Sequence, residues 1–264
     1  MSKTSRALRL HALARAALIA ASVGTSAVLT VQTAIATTSY QIALTCPIDG
    51  QPFTATLMGS YFQSNIRLDF KPIGSLVAPY PYPVCPGNGF VMYQDTFSDD
   101  ELSEIKAIVL NDEYRQLRPQ NTDYFMVAYV KQRLGASHYE LGNTYLRASW
   151  EAERVKPDLV DRYRALALQA FDTSMHGKRT HNEEWWTAAV LATELDRLLG
   201  HFNAVELRIG GLALTELGAR YPDLLVLLHQ TRMHAQQHNS APEQMQLPAH
   251  GHGTIGRAPA NVNN

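Results

Sequence analysis

The chain has 264 residues, with 23 Lys and Arg against 24 Asp and Glu, a formal net charge of −1 and 45% hydrophobic side chains. Four of the cations, Lys3, Arg6, Arg9 and Arg15, precede every acidic residue, and no Lys/Arg run follows them. A surface for nucleic acid or anionic lipid needs a basic face, so these classes are excluded in favour of protein, peptide or small-ligand partners.

Those four cations lead into an apolar run from Ala16 to Val31, interrupted at Gly24, Thr25 and Ser26, and then into Ala34-Ile35-Ala36. A basic region, an apolar region and small residues flanking a cut are the layout of a secretory signal peptide, so residues 1–36 read as a leader cleaved after Ala36. An uncleaved anchor is the alternative, although the run falls short of the ~20 residues that span a bilayer. Cleavage removes four cations and no anion, taking the formal charge from −1 to −5. The mature chain then reads as periplasmic or secreted, without membrane insertion.

Residues 37–96 read as a small β module, with short strands at 41–45, 53–58, 66–70 and 90–93 separated by Gly and Pro. The stretch 71–83 carries four prolines with Tyr80 and Tyr82 between them. It reads as an extended loop, because proline removes ladder donors. Tyr80 and Tyr82 would either form a stiff apolar edge for a partner or cover the module.

From 97 to 238 the texture is helical. Ser98 and Glu101 form a capping box opening a helix to about 111, with Asp99, Asp100 and Glu101 at the positive end of its dipole. Further helices read at 123–134, 137–154, 157–175, 182–199, 203–217 and 222–238, joined by short connections that favour antiparallel pairs. In the helix at 182–199, Trp185, Ala188, Ala189, Ala192, Leu195 and Leu199 share one stripe. The helix at 203–217 is apolar on more than one side and should be sandwiched between neighbours. The tail 239–264, rich in Pro, Gly, His, Gln and Asn, reads as disordered, since it has little apolar surface to offset ordering entropy.

His138-x2-Leu141-Gly142-x2-Tyr145 has the spacing of the first helix of a tetratricopeptide repeat, and Ala167-Leu168-x2-Phe171 is similar to its second-helix core. Trp186 through Gly200-His201-Phe202-Asn203-Ala204 gives a second, degenerate fit. An irregular helical bundle accounts for the same small residues, which let helices approach closely. The fold class expected is therefore mainly α, a tetratricopeptide-like antiparallel bundle preceded by a small β module.

Cys46-Pro47-Ile48-Asp49-Gly50 with Phe53, then Cys85-Pro86-Gly87-Asn88-Gly89-Phe90, followed by the capped helix and the repeat-like helices, resembles an uncharacterised bacterial family, domain-of-unknown-function family 2225. The resemblance spans roughly residues 43–228. It implies a leading module similar to a rubredoxin-type zinc ribbon with two cysteine knuckles, a tetratricopeptide scaffold, and no catalytic residue set. Where the knuckles want their second cysteines this chain has Asp49 and Asn88, and two thiols with a carboxylate and an amide make a poor zinc site. Cys46 and Cys85, which such a ribbon would hold side by side, are expected to form a disulfide in an oxidising compartment, stabilising by about 3–4 kcal/mol. A residual metal site of Cys46, Cys85 and Asp49, and free thiols, are the alternatives.

His234 and His238 stand at i, i+4 with His229 nearby and His250 and His252 in the tail. The pair could hold one metal, or simply suit a negative helix terminus. Glu183 and Glu184 complement a helix N-terminus, while Trp150, Trp185 and Trp186 would serve as core or as peptide anchors. Glu151 and Glu153 face different ways on their helix and do not converge. No Gly-x-Ser-x-Gly elbow, His-Glu-x2-His pair, phosphate loop or dinucleotide fingerprint is present. The function expected is an exported, non-enzymatic helical scaffold that binds protein or peptide partners in the cell envelope without a cofactor. The alternative is a zinc-binding envelope protein using Cys46/Cys85 or the C-terminal histidines.

Overall fold

Alternating Tyr, Ile and Leu with Thr, Gln and Ala produces the first ladder. In a computed structural model, which describes residues 38–75, 77–178 and 181–246, β1 (Thr38–Thr45) and β2 (Pro52–Ser60) pair antiparallel with a bulge between Thr38 and Ser39. The leader expected at 1–36 and the tail beyond 246 lie outside the described residues. The pleat sends Ile42, Leu44, Phe53, Ala55 and Leu57 to one face, where they are half-buried, and Gln41, Ala43, Thr54 and Thr56 to the exposed opposite face. A second short ladder joins β3 (Gln63–Ile66) to β4 (Pro72–Gly74). The strand expected at 66–70 ends at Ile66 because the chain turns there, with Phe70 at φ 68° and its N–H donating to the Arg67 carbonyl. The strand expected at 90–93 reduces to one bridge, Val84 to Val91.

From Asp99 to Gln236 the described chain is mainly helical: α1 (Asp99–Val109), α2 (Asp112–Leu117), α3 (Asp123–Arg133), α4 (His138–Val155), α5 (Val160–Met175), α6 (Glu183–Leu198), α7 (Phe202–Gly210), α8 (Leu214–Arg220) and α9 (Pro222–Gln236). The capping box at Ser98 is complete, with the Glu101 N–H donating to Ser98 Oγ and the Ser98 N–H to Glu101 Oε2. Helix α2, one and a half turns capped by Asn111, is too short to leave a periodic signal. The expected helix at 203–217 divides at Gly210-Gly211 into α7 and α8. Each piece buries one side only, Val205 and Ile209 on α7 and Leu217 on α8, and Leu207 is left 79% exposed rather than sandwiched. Two adjacent glycines lower helix propensity enough to explain the break.

Helices α4 and α5 approach closely where the repeat-like spacing put small and large residues. A Cβ on Gly142 would lie 2.7 Å from the Phe171 ring, so glycine lets the ring seat against the α4 backbone. One core cluster runs from Cys46, Cys85 and Phe90 of the β module through α1, α3, α4 and α5 to Leu191 and Leu195 of α6. A second gathers Leu68, Trp186, Val190, Val205, Ile209, Leu217 and Leu228. Helix α6 therefore stands between the two, and every residue from Trp186 to Leu198 except Thr187 is buried. The stripe read through Trp185 is displaced: Trp186 is the buried indole and Trp185 lies at the margin.

The first residues of the segment read as a disordered tail are bound to the fold. Arg197 donates to the carbonyls of Asn239 and Ala241, the Leu68 N–H donates to Glu243 O, and the Met245 N–H to Ile66 O. Composition argued against a core there, but backbone groups and one buried arginine hold it instead. No helix among the described residues is long and apolar enough to cross a membrane.

Candidate interaction surface

The two cysteine turns are built alike. The N–H of Cys46 donates to Gln51 O and that of Gly50 to Cys46 O; the N–H of Cys85 donates to Phe90 O and that of Gly89 to Cys85 O. Gly50 and Gly89, at φ 75° and 71°, supply the left-handed conformation that closes each turn. Asp49 Oδ1 accepts from the Gln51 N–H just as Asn88 Oδ1 accepts from the Phe90 N–H, so both act as Asx turns. The turns meet with Cys46 and Cys85 at disulfide distance, S–S 2.16 Å. Beside them Asn88 Nδ2 donates to Asp49 Oδ2 at 2.8 Å. The four positions that a paired knuckle would use for metal are thus joined two by two, thiol to thiol and amide to carboxylate. Among the described residues no group of three or more His, Cys, Asp or Glu side chains converges as a metal site.

The histidines expected at i, i+4 are parted by the helix end. α9 stops at Gln236, and His238, at φ 52°, turns away to set its ring edge-on against Phe202. His234 Nδ1 instead lies 3.4 Å from Asn239 Nδ2.

The candidate aromatic anchors do not form one groove. Trp186 is fully buried. Trp150 is buried with its indole N–H on Asp69 Oδ2, so neither reaches a partner from its present position. Trp185 stacks on His181 with centroids 3.8 Å apart. Tyr82 packs on Tyr124, whose hydroxyl donates to the Tyr80 carbonyl. The Tyr80 hydroxyl accepts from the Met58 N–H at 3.0 Å. The proline-loop tyrosines therefore cover the β module and staple it to α3.

Around Trp150 lies a cluster that no sequence pattern flagged. Arg67 pairs with Asp69 at 2.5 Å and with Glu153 at 2.8 Å, and Lys71 and Arg164 also reach Glu153. Burial opposes ionisation of Glu153, but hydrogen bonds from Arg67 and Lys71 hold its carboxyl below the ordinary value. Glu151, two residues away, faces α3 and accepts from the Tyr124 N–H; burial raises it. The two acids diverge as expected, and the cluster joins the β3–β4 turn to α4 and α5.

What remains open is the end of the hairpin. Among the described residues, Tyr40 (51%), Tyr61 (57%), Phe62 (45%) and Val77 (47%) are exposed large apolar side chains. They lie together: the Tyr40 ring borders Gly59, Ser60 pairs with Thr38, and Phe62 is bonded to Ser75 through both backbone groups, two residues from Val77. Between Thr38 and Ile66 the only charged side chain is Asp49, a signal that could have found this surface from sequence. Exposed apolar residues that cluster, rather than scatter, mark contact sites. Compared with known proteins, the chain matches no family model, no curated protein and no solved structure.

Proposed function

We propose that this chain is an exported, non-enzymatic scaffold, tetratricopeptide-like in its α4–α5 pair, that binds a protein or peptide partner in the periplasm or outside the cell. The observation that carries the reading is the uncharged, aromatic end of the β1–β2 hairpin, where Tyr40, Tyr61, Phe62 and Val77 are exposed. The disulfide-distance cysteine pair supports an oxidising compartment, where such pairs persist. Aromatic side chains at the end of a two-stranded ladder are suited to burial against a partner, since each brings a large apolar area and a polar tip.

The test is photo-crosslinking in living cells, with a photoreactive amino acid placed at Tyr61, at Phe62, or at Glu216 on the exposed side of α8. Discrete adducts at the first two positions and none at the third are expected. Equal labelling at all three, or none anywhere, overturns the reading. Intact mass of the protein recovered from the envelope checks the export half: a chain starting at Thr37 and two hydrogens light until reduced is expected.

A further inference from the structure

The hairpin has two long edges and they are not equivalent. Since the Cys46 N–H bonds to Gln51 O and the register runs Leu44↔Phe53, Ile42↔Ala55, Tyr40↔Leu57, those residues exchange bonds within the hairpin. Antiparallel alternation then turns the N–H and C=O groups of Ser39, Gln41, Ala43 and Thr45 outward on β1, and those of Thr54, Thr56 and Met58 outward on β2. On β2 that edge is blocked at Met58, whose N–H the Tyr80 hydroxyl takes and whose carbonyl it lies against, while Thr54 and Thr56 stay outward. On β1, among the described residues, no hydrogen bond reaches the outward groups.

We infer that β1 pairs edge to edge with β1 of a second copy, antiparallel about a two-fold axis, giving a four-stranded sheet of order β2-β1-β1-β2. This rests on the export and partner-binding reading and names the partner. Two observations and the expected cleavage select this occupant. β1 carries no charged residue, so antiparallel self-pairing sets no like charges opposite one another, the usual device that blocks edge association. The Tyr80 hydroxyl blocks the Met58 end of β2 and leaves β1 as the longer open edge, and a contact made by β1 on both copies is isologous, closing at two copies instead of growing into a fibre. Cleavage after Ala36 would leave Thr37 as the first residue, one position before β1 begins at Thr38, so no upstream segment remains to occupy the edge. The same pairing carries the exposed ring of Tyr40 into the new interface.

The experiment is sedimentation of the mature, cysteine-paired chain 37–264 over about two decades of concentration, where a reversible dimer shows mass-action behaviour. Ala43→Pro removes one outward donor without touching a bond inside the hairpin, and Gln41→Lys adds a charge to the edge. A wild-type dimer, weakened about tenfold or more by Ala43→Pro and by a smaller factor by Gln41→Lys, is the expected result, with circular dichroism and the paired-cysteine mass unchanged. If Ala43→Pro fails to fold, the decision falls to Gln41→Lys, whose side chain lies on the exposed face. A wild-type monomer throughout, or a dimer indifferent to the edge variant that folds, overturns the inference. So does a monomer that dimerises only when 247–264 is deleted, since the tail would then be the occupant. Discrete crosslinks from Tyr61 and Phe62 to another envelope protein, with a monomeric chain, would sink the self-pairing and leave the partner-binding reading standing; a monomer without crosslinks removes both.

Discussion

Helix α6 and the β1–β2 hairpin invert the usual distribution of side chains. The helix buries Glu194, Asp196 and Arg197 almost completely, whereas the hairpin exposes tyrosine and phenylalanine and holds only one charge between Thr38 and Ile66. The difference lies in what surrounds them. On α6 every buried charge has a partner: Arg197 spans Glu194 on one side and two tail carbonyls on the other, Thr231 donates to Glu194, and Arg208 bridges Asp196 and Asp172. On the hairpin strands no side chain is fully buried. Burial in this molecule follows the availability of partners on neighbouring elements, not residue type alone.

The largest effect should come from unpairing α6. Arg197→Met leaves the Glu194 carboxylate buried without its cation and is expected to cost about 3–5 kcal/mol in urea unfolding. The double variant Glu194→Leu with Arg197→Met should regain more than half of that loss, and a single-variant cost below about 1 kcal/mol would mean that packing alone holds the helix. Next, replacing both Cys46 and Cys85 by serine should lower stability by about 3–4 kcal/mol, the unfolded-chain effect of linking residues 39 apart. An unchanged urea midpoint would show that the module's shared core with the helices suffices without the link.

A subtler contrast sits within α4. Glu151, raised by burial, keeps its proton in the folded protein at pH values where the unfolded chain has ionised. Its contribution is present below the unfolded value of 4.5 and is lost as pH rises through the folded value. Glu153, lowered by Arg67 and Lys71 against its desolvation, contributes above the unfolded value and loses that contribution as pH falls through the folded one. Glu151→Gln should therefore flatten the decline of stability on the alkaline side of pH 4.5, and Glu153→Gln the decline on the acid side. Slope changes of the same sign in both variants would break the assignment. Smallest of all, Tyr61→Ser with Phe62→Ser should move folding stability by no more than about 0.5 kcal/mol while abolishing the envelope crosslinks from a photoreactive amino acid placed at Tyr40. A large loss of stability would place those rings in the fold instead of at a contact.

The parts legible in the sequence were those fixed by local chemistry. The capping box at Ser98, the Gly and Pro punctuation around β1 and β2, and the divergence of Glu151 and Glu153 all depend on residues near each other in the chain, whereas the meeting of Cys46 with Cys85 was expected only from the family resemblance. What stayed hidden depends on distant partners. The Asp69–Arg67–Glu153 cluster joins residues more than 80 apart, and neither half announces the other. Composition could not show that Arg197 would hold the segment after Asn239, because the interaction uses backbone carbonyls. The choice between Trp185 and Trp186 turned on which side of α6 met the second core cluster, a matter of packing that a single stripe leaves open. The hairpin surface was readable in principle, as a long stretch holding a single charge.

The return of the chain end to the β module has a consequence for the order in which the fold can assemble. Asn65 donates to Met245 O across 180 residues, and the carbonyls that Arg197 uses belong to Asn239 and Ala241. A nascent chain still lacking these residues has β3 with β4 as its one neighbour and a buried guanidinium without two acceptors. Closure is deferred until the chain has emerged as far as Met245, and contacts of such long separation form slowly. A partly synthesised chain would therefore remain open along the α6 side, the condition in which holding chaperones recognise their clients.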